Sequence, residues 1–363
     1  MARIDAFLKL GLAQGCSDVH LAVGVPPMLR VHGDLMPIKF RDLGAAELEG
    51  YVGEILTPGQ RERFGAGRDV DFSYVTEDGG RFRVNVFRKE TGVGATFRFI
   101  PGDIPRLDKL HLPKVLQKLC DHHQGMILVT GSTGAGKSTT LAAMIDHLNG
   151  TQNLNIISLE DPIEFLHRSK RSQVVQRELG THLPSFAEGI RAALRQDPDV
   201  ILVGEMRDAE TISMAMTAAE TGHLVLGTLH TTGAVKTIDR IIDALPGEMR
   251  EQTKSFLSQS LLAVISQVLV KTPDNRSRRA IVEIMVMNRA IAKLIMTDQT
   301  HQIPSQLQMG RDQSMQLMDQ ALLDAIQRKE VDPDDAFRYA TDKGLFTRFV
   351  TDTAILPKSD VTA

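Results

Sequence analysis

Apolar residues recur at helical spacing over residues 4–12 (Ile4, Phe7, Leu8 and Leu12), and Gly11 and Gly15 bracket the end of the helix they predict. Residues 19–23 and 28–31 read as short strands split by the turn-forming Gly24-Val25-Pro26-Pro27. A helix is expected over residues 45–56. From Val70 to Phe99 the pattern alternates, with a turn at Asp78-Gly79-Gly80. Phe82, Val84 and Val86 share one face there, while Arg83 and Asn85 fall on the other. The first hundred residues thus predict a small α+β domain.

Ile100-Pro101-Gly102-Asp103-Ile104-Pro105 reads as an interdomain linker, and beyond it the pattern changes. Short apolar runs at 126–130, 156–159, 200–203 and 224–226 alternate with helical segments at 138–148, 187–195 and 209–221. Fully apolar strands between helices imply a mostly parallel sheet covered on both faces. The last hundred residues look mainly helical around one β-rich patch (264–270 and 280–286). The expected organisation is an N-terminal α+β domain over 1–100, a linker over 101–112, an α/β nucleotide-binding domain with a helical C-terminal part over 113–356, and a flexible tail over 357–363.

Composition changes this picture little. A chain of 363 residues exceeds one ordinary core, so two domains are the natural expectation. A net charge of −3 argues against a nucleic-acid partner, which calls for a basic surface. No apolar run approaches the ~20 residues of a membrane span. The longest, 261–265 and 268–270, are separated by Ser266 and Gln267. The N-terminus lacks a secretory signal pattern, so no direct membrane insertion is expected and any membrane role runs through a partner. Cys16 and Cys120 form no CxxC pair, and reduced cytoplasmic thiols are the expected state. His122-His123 reads as a solvated helix end rather than a metal site.

The sharpest signal is Gly131-Ser132-Thr133-Gly134-Ala135-Gly136-Lys137-Ser138, which satisfies G-x-x-x-x-G-K-[ST] between an apolar run and a helix. Its glycines let backbone N–H groups wrap phosphate oxygens at a helix N-terminus. Lys137 would neutralise the β- and γ-phosphates of ATP, and Ser138 would complete a Mg²⁺ shell. Ser132, Thr133, Gly134, Ala135, Gly136, Lys137, Ser138 and Thr139 form the expected nucleotide-binding set.

A phosphate-binding sheet also needs an acid at a neighbouring strand end. In Asp199-Val200-Ile201-Leu202-Val203-Gly204-Glu205, glycine stands where a generic Walker B motif has aspartate. Glu205 is the candidate for polarising the attacking water, with Ser138 and Glu205 as the metal-facing pair. The alternative is a strand-end carboxylate making a surface contact. Glu160, Asp161 and Glu164 follow a second apolar strand, where open α/β sheets bind ligands, although an Asp-Pro turn with solvated acids fits too. His230 and Thr231 end a third strand near the same edge, whereas His223 sits at its opposite end with a packing role as the simpler reading. Arg81, Arg83, Arg88 and Arg98 cluster in the N-terminal β region, where a phosphate contact competes with a solvated strand face. Arg191 and Arg195 share one helical face.

These motifs stand in one order: the phosphate loop, ISLEDPIEF, IRAALRQDPDVILVGEMRDAET, and AAETGHLVLGTLHTT. The arrangement resembles the secretion ATPases of type II secretion and type IV pili, and within them the PilT family of pilus retraction ATPases. The resemblance runs from GCSDVHL at residue 15 to MDQALLD at residue 324. It implies a homohexameric ring of RecA-like P-loop ATPase domains, each with a smaller PAS-like α+β domain packed on a neighbouring subunit. It implies ATP and Mg²⁺ as cofactors, ATP bound at the interface between domains, and an inner-membrane pilus platform protein as partner at the cytoplasmic membrane face. Residues 160–164 match the family's "Asp box" with Glu164 as a catalytic acid. Residues 200–205 match its atypical Walker B with Glu205 as catalytic acid, and 223–230 its "His box" with His230. Arg83 and Arg98 match arginines that reach the phosphates.

Pilus assembly and type II secretion motors usually carry an extra N-terminal domain and a tetracysteine motif, and neither pattern is seen here. The family's AIRNLIRE-type motif is matched by Ala290-Ile291-Ala292-Lys293-Leu294-Ile295-Met296-Thr297, with both arginines and the glutamate replaced. An assembly or secretion motor, a paralogue assisting a retraction ATPase, and a RecA-like nucleic-acid motor stay open as alternatives.

Overall fold

The computed structural model describes residues 2–31, 34–100 and 102–356; the tail expected over 357–363 lies outside them. Contacts divide the chain into two compact units. One comprises the described residues of Met1–Asp103 together with Pro162–Leu166, and the other the described remainder.

The first unit contains helices α1 (Asp5–Ala13), α2 (Ala45–Ile55) and α3 (Pro58–Gly65). Its strands are β1 (Asp18–Ala22), β2 (Met28–Val31), β3 (Asp34–Pro37), β4 (Val70–Val75), β5 (Arg81–Lys89) and β6 (Gly92–Ile100). They form one antiparallel sheet in the order β3-β2-β1-β6-β5-β4. The alternation read from the sequence sends Val19, Leu21, Phe82, Val84, Val86 and Phe97 into a core shared with Phe7, Leu8, Leu48 and Val52 of the helices. Helix α3 starts at a capping box, with Thr57 and Gln60 each bonding the other's backbone N–H, and with proline in its first turn. On the opposite face, the register lines up Arg30, Asp18, Arg98, Arg83 and Ser73 in a row across five strands.

The second unit is an α/β domain. Its strands are β7 (Gly125–Thr130), β8 (Asn155–Glu160), β9 (Gln173–Glu178), β10 (Val200–Val203), β11 (Leu224–Leu229), β12 (Leu261–Lys271) and β13 (Arg278–Val286). Its helices are α4 (Val115–Leu119), α5 (Lys137–Thr151), α6 (Phe186–Ala193), α7 (Ala209–Glu220), α8 (Ala234–Ala244), α9 (Arg250–Ser260), α10 (Arg289–Met296), α11 (Ile303–Met309), α12 (Met318–Gln327) and α13 (Pro333–Tyr339). The sheet order is β13-β12-β7-β11-β10-β8-β9, parallel throughout except for β13. Every residue of β7, β10 and β11 is buried.

Successive residues serve opposite faces of this sheet. Met126 and Leu128 pack with Ile190, Ile212 and Ile238, while Ile127 and Val129 pack with Leu116, Leu141 and Ile145. Each such side chain fully withdrawn from water contributes about 1.5–3 kcal/mol, which is why the fully apolar runs became central strands. The β-rich patch expected within the helical C-terminal part is β12 and β13. Its apolar residues place it in the main sheet beside β7, and α12 and α13 pack a separate small cluster on Val268, Val270 and Ile281.

Candidate nucleotide site

The parallel strands β7, β11, β10 and β8 end at one edge, and the loops that follow them carry the predicted chemistry. After β7, Gly131, Gly134 and Gly136 adopt φ of 142°, 79° and 85°, conformations closed to most side chains, and α5 begins at Lys137. Ala135 N–H closes a turn on Ser132 O at 3.1 Å. Lys137 is buried, and its Nζ donates to Gly131 O at 2.8 Å and Ser132 O at 3.1 Å, which holds the ammonium against the loop. Ser132, Thr133, Gly134 and Ser138 are exposed, Ala135 is buried, and Gly136 and Thr139 are half-buried.

Glu205 lies just beyond β10. His230 Nε2 is 2.9 Å from its Oε1, and Arg207 Nε donates to the same oxygen. Burial pushes the Glu205 carboxyl up, but the bond from Arg207 and the charges of Arg207, His230 and Lys137 outweigh it and hold the group below the usual range. The structure therefore brings Lys137, Glu205 and His230 together with an ionised carboxylate between them.

Gly204 now has a physical reason. Its N–H donates to Leu159 O at 2.7 Å, and a Cβ there would meet Leu159 O at 3.0 Å and Glu160 Cα at 3.2 Å. The ends of β10 and β8 are too close for the aspartate of a generic motif. Gly204→Asp is expected to lose about 1–3 kcal/mol of stability, as overpacked sites do, read as a lower Tm in thermal unfolding. A Tm equal to that of the wild type would refute the close-approach account.

The acidic cluster is divided. Glu160 accepts from Ser158 Oγ at 2.7 Å and Gln176 Nε2 at 2.9 Å at the end of β8, while Glu164, half-buried, groups with the first unit. Arg83 and Arg98 also belong to the first unit, directly opposite one another on β5 and β6. Arg98 Nε donates to the buried Asp18 at 2.9 Å, and the Arg98 side chain is 67% exposed. Asp18 offsets part of the charge that these two opposed arginines bring to the row. Arg191 pairs with Glu210 at 3.4 Å, and Arg195 bonds Arg191 O; with Arg177 they line a cleft of about 270 Å³. His223 Nδ1 sits 2.9 Å from Ala218 O at the end of α7.

Three residues near the site escaped the sequence reading. Arg207 holds Glu205, and Thr228 Oγ1 donates to Gly204 O. Gln267, on β12, bonds Ala135 of the phosphate loop and Thr140 in the first turn of α5. Its signal was present as a polar break in an apolar run.

Fold and site together define a P-loop nucleotide-binding protein. A sequence profile described as "Type II/IV secretion system protein" matches residues 107–338, and the chain belongs to that family. It is 50% identical over 314 residues to a twitching motility protein of Neisseria gonorrhoeae, covering 86% of this chain and 84% of that one. It is 47% identical over 319 residues to the type IV pilus retraction ATPase PilT of Pseudomonas aeruginosa, covering 88% and 92%. The crystal structure of the pilus retraction motor PilT with bound ADP superposes with a TM-score of 0.88 at 40% identity, over 96% of this chain and 99% of the other.

Proposed function

We propose that this chain is an ATP-hydrolysing motor that powers type IV pilus retraction. The observation that carries the reading is the convergence of Lys137, Glu205 and His230, in a chain similar over most of its length to pilus retraction motors. The amides of residues 131–138 and Lys137 bind the phosphates, exchanging the internal carbonyl bonds of Lys137 for phosphate oxygens. Glu205 takes the proton of the attacking water. His230 orients that carboxylate, and Arg207 keeps it ionised. An exposed hydroxyl and one carboxylate, Ser138 and Glu205, suit Mg²⁺, which takes most of its ligands from phosphates and water. When bound, the ion neutralises charge on the β- and γ-oxygens. Glu164 is a second candidate acid, and Arg83 and Arg98 are the candidates for guanidinium contacts to a nucleotide's phosphates.

The motor works as a homohexamer whose subunits close on ATP and open after hydrolysis. It acts in the cytoplasm at the inner-membrane face, on a pilus platform protein. Among the described residues no helix is long and apolar enough to cross a membrane, so a partner must carry the force across. One observation favours a variant of this reading. Ala292, Met296 and Thr297 stand where the retraction motif has arginines and a glutamate, which fits a subunit working beside a paralogous retraction ATPase.

The test is a count of surface pili, with twitching motility, in source cells lacking this gene or carrying Glu205→Gln. More pili with lost motility in both strains is the expected result. Bald cells would replace retraction by assembly, and unchanged pili would point to the auxiliary role.

A further inference from the structure

We infer that the β12–β13 pair positions both loops of the nucleotide site, Gln267 holding the phosphate loop and Ser266 with Glu283 holding the loop that carries His230. The inference rests on the proposed reading of residues 131–139 as the phosphate-binding loop.

Gln267 is 1% exposed and, with Ser266, interrupts the apolar run of β12. Its Nε2 donates to Ala135 O at 2.6 Å, and its Oε1 accepts from Thr140 Oγ1 at 2.8 Å. A carbonyl needs a donor, so the amide orientation is fixed by Ala135, and the hydroxyl of Thr140 fits the oxygen that remains. Only a side chain carrying both a donor and an acceptor satisfies the two contacts. The same residue shapes the loop's glycines. A Cβ on Gly131 would lie 2.4 Å from Gln267 O, and one on Gly136 would lie 2.8 Å from Gln267 Nε2.

Ser266, the preceding strand residue, points to the opposite face of the sheet. Its Oγ accepts from Gly233 N–H at 2.8 Å. Glu283 stands across from it in the β12–β13 register, half-buried, and its Oε1 accepts from Ala234 N–H at 2.8 Å. Gly233 and Ala234 open α8 just after His230 and are tied further by Thr237 Oγ1, which donates to Gly233 O at 2.8 Å. Adjacent residues of one strand therefore grip the loop beneath the phosphates and the loop whose histidine touches Glu205. A polar break in a buried strand costs stability unless every group is satisfied, and here the partners are the site's own backbone and its first helical turn.

The two grips predict different kinetic signatures. Gln267→Met should weaken ADP binding by about tenfold, because Ala135 O and Thr140 lose their buried partner, while kcat at saturating ATP changes much less. Ser266→Ala and Glu283→Met, which removes the acceptor for Ala234 N–H, should leave the ADP Kd close to wild type and lower kcat, because His230 loses its register with Glu205. The measurements are ADP affinity by fluorescence titration, kcat and KM for ATP, and Tm, all on the full chain. Thr140→Val removes the donor to Gln267 and should shift the ADP Kd in the same direction, which keeps the test open if Gln267→Met does not fold. Wild-type ADP binding by both variants with only a lower Tm would overturn the role of Gln267. Unchanged kcat in both Ser266→Ala and Glu283→Met would overturn that of the second grip. Lys137→Ala separates the two levels: if it binds ADP normally, the reading of the phosphate loop itself has failed.

Discussion

Replacing Glu205 by glutamine is expected to leave ADP binding close to wild type and to cut ATP turnover by about 10²- to 10⁴-fold, the range associated with a positioned general base. The two side chains have the same shape, so the contacts with His230 and Arg207 can survive the exchange. What is lost is the proton acceptor. An amide oxygen keeps a hydrogen bond to Arg207 but cannot take a proton from water. The sign of the Glu205 shift adds a pH signature. Burial raises its pKa, and the bond from Arg207 with the neighbouring positive charges lowers it further than burial raises it. The carboxylate thus stays ionised below the usual glutamate range, and wild-type turnover should not lose its base as pH falls from 7 to 5. Steady-state turnover of the variant within tenfold of wild type would remove Glu205 from this role.

Lys137→Ala is expected to weaken ADP binding by about 100-fold or more, since it deletes the one charge-assisted phosphate contact that the loop's own side chains supply. Lys137 now donates to Gly131 O and Ser132 O inside the loop. Alanine takes that donor from the buried Gly131 carbonyl, so a modest loss of Tm is expected alongside the collapse in affinity. Lys137→Arg should not rescue, because a planar fork does not fit where a compact ammonium is held by two carbonyls at 2.8 and 3.1 Å. Fluorescence titration with ADP decides, and near-normal affinity in Lys137→Ala would sink the assignment.

The parts of this fold that were legible in sequence are those where burial is complete. The runs at 126–130, 156–159, 200–203 and 224–226 had to be central parallel strands, and they are β7, β8, β10 and β11. Strand β9, Gln-Val-Val-Gln-Arg-Glu, escaped because it is an edge strand in which polar residues outnumber apolar ones. Strand β3 escaped as an edge strand too, all four of its residues being exposed. Sequence order placed β12 and β13 among the C-terminal helices, but parallel pairing to β7 is long-range and leaves no local mark. The candidate site was read through its motifs: the phosphate loop, Glu205 and His230 each occupy a strand end that a strand–loop–helix pattern locates. Gly204 was visible only as a departure from a motif, and the 3.0 Å approach to Leu159 O explains it. Ser266 and Gln267 were noticed as an interruption of an apolar run, which answered a question about membranes and left open what a buried carboxamide was bonded to.

The position of β7 has a consequence for how the chain is made. The strand that delivers the phosphate loop is flanked by β11 (Leu224–Leu229) and β12 (Leu261–Lys271), both synthesised long after it. On the ribosome, Gly131–Ser138 therefore emerges as a Walker sequence without a Walker shape, and it keeps none until residues beyond 267 can pair back. A chain released early carries the motif without the strand its loop leans on, so nucleotide affinity is expected only once synthesis has passed β12.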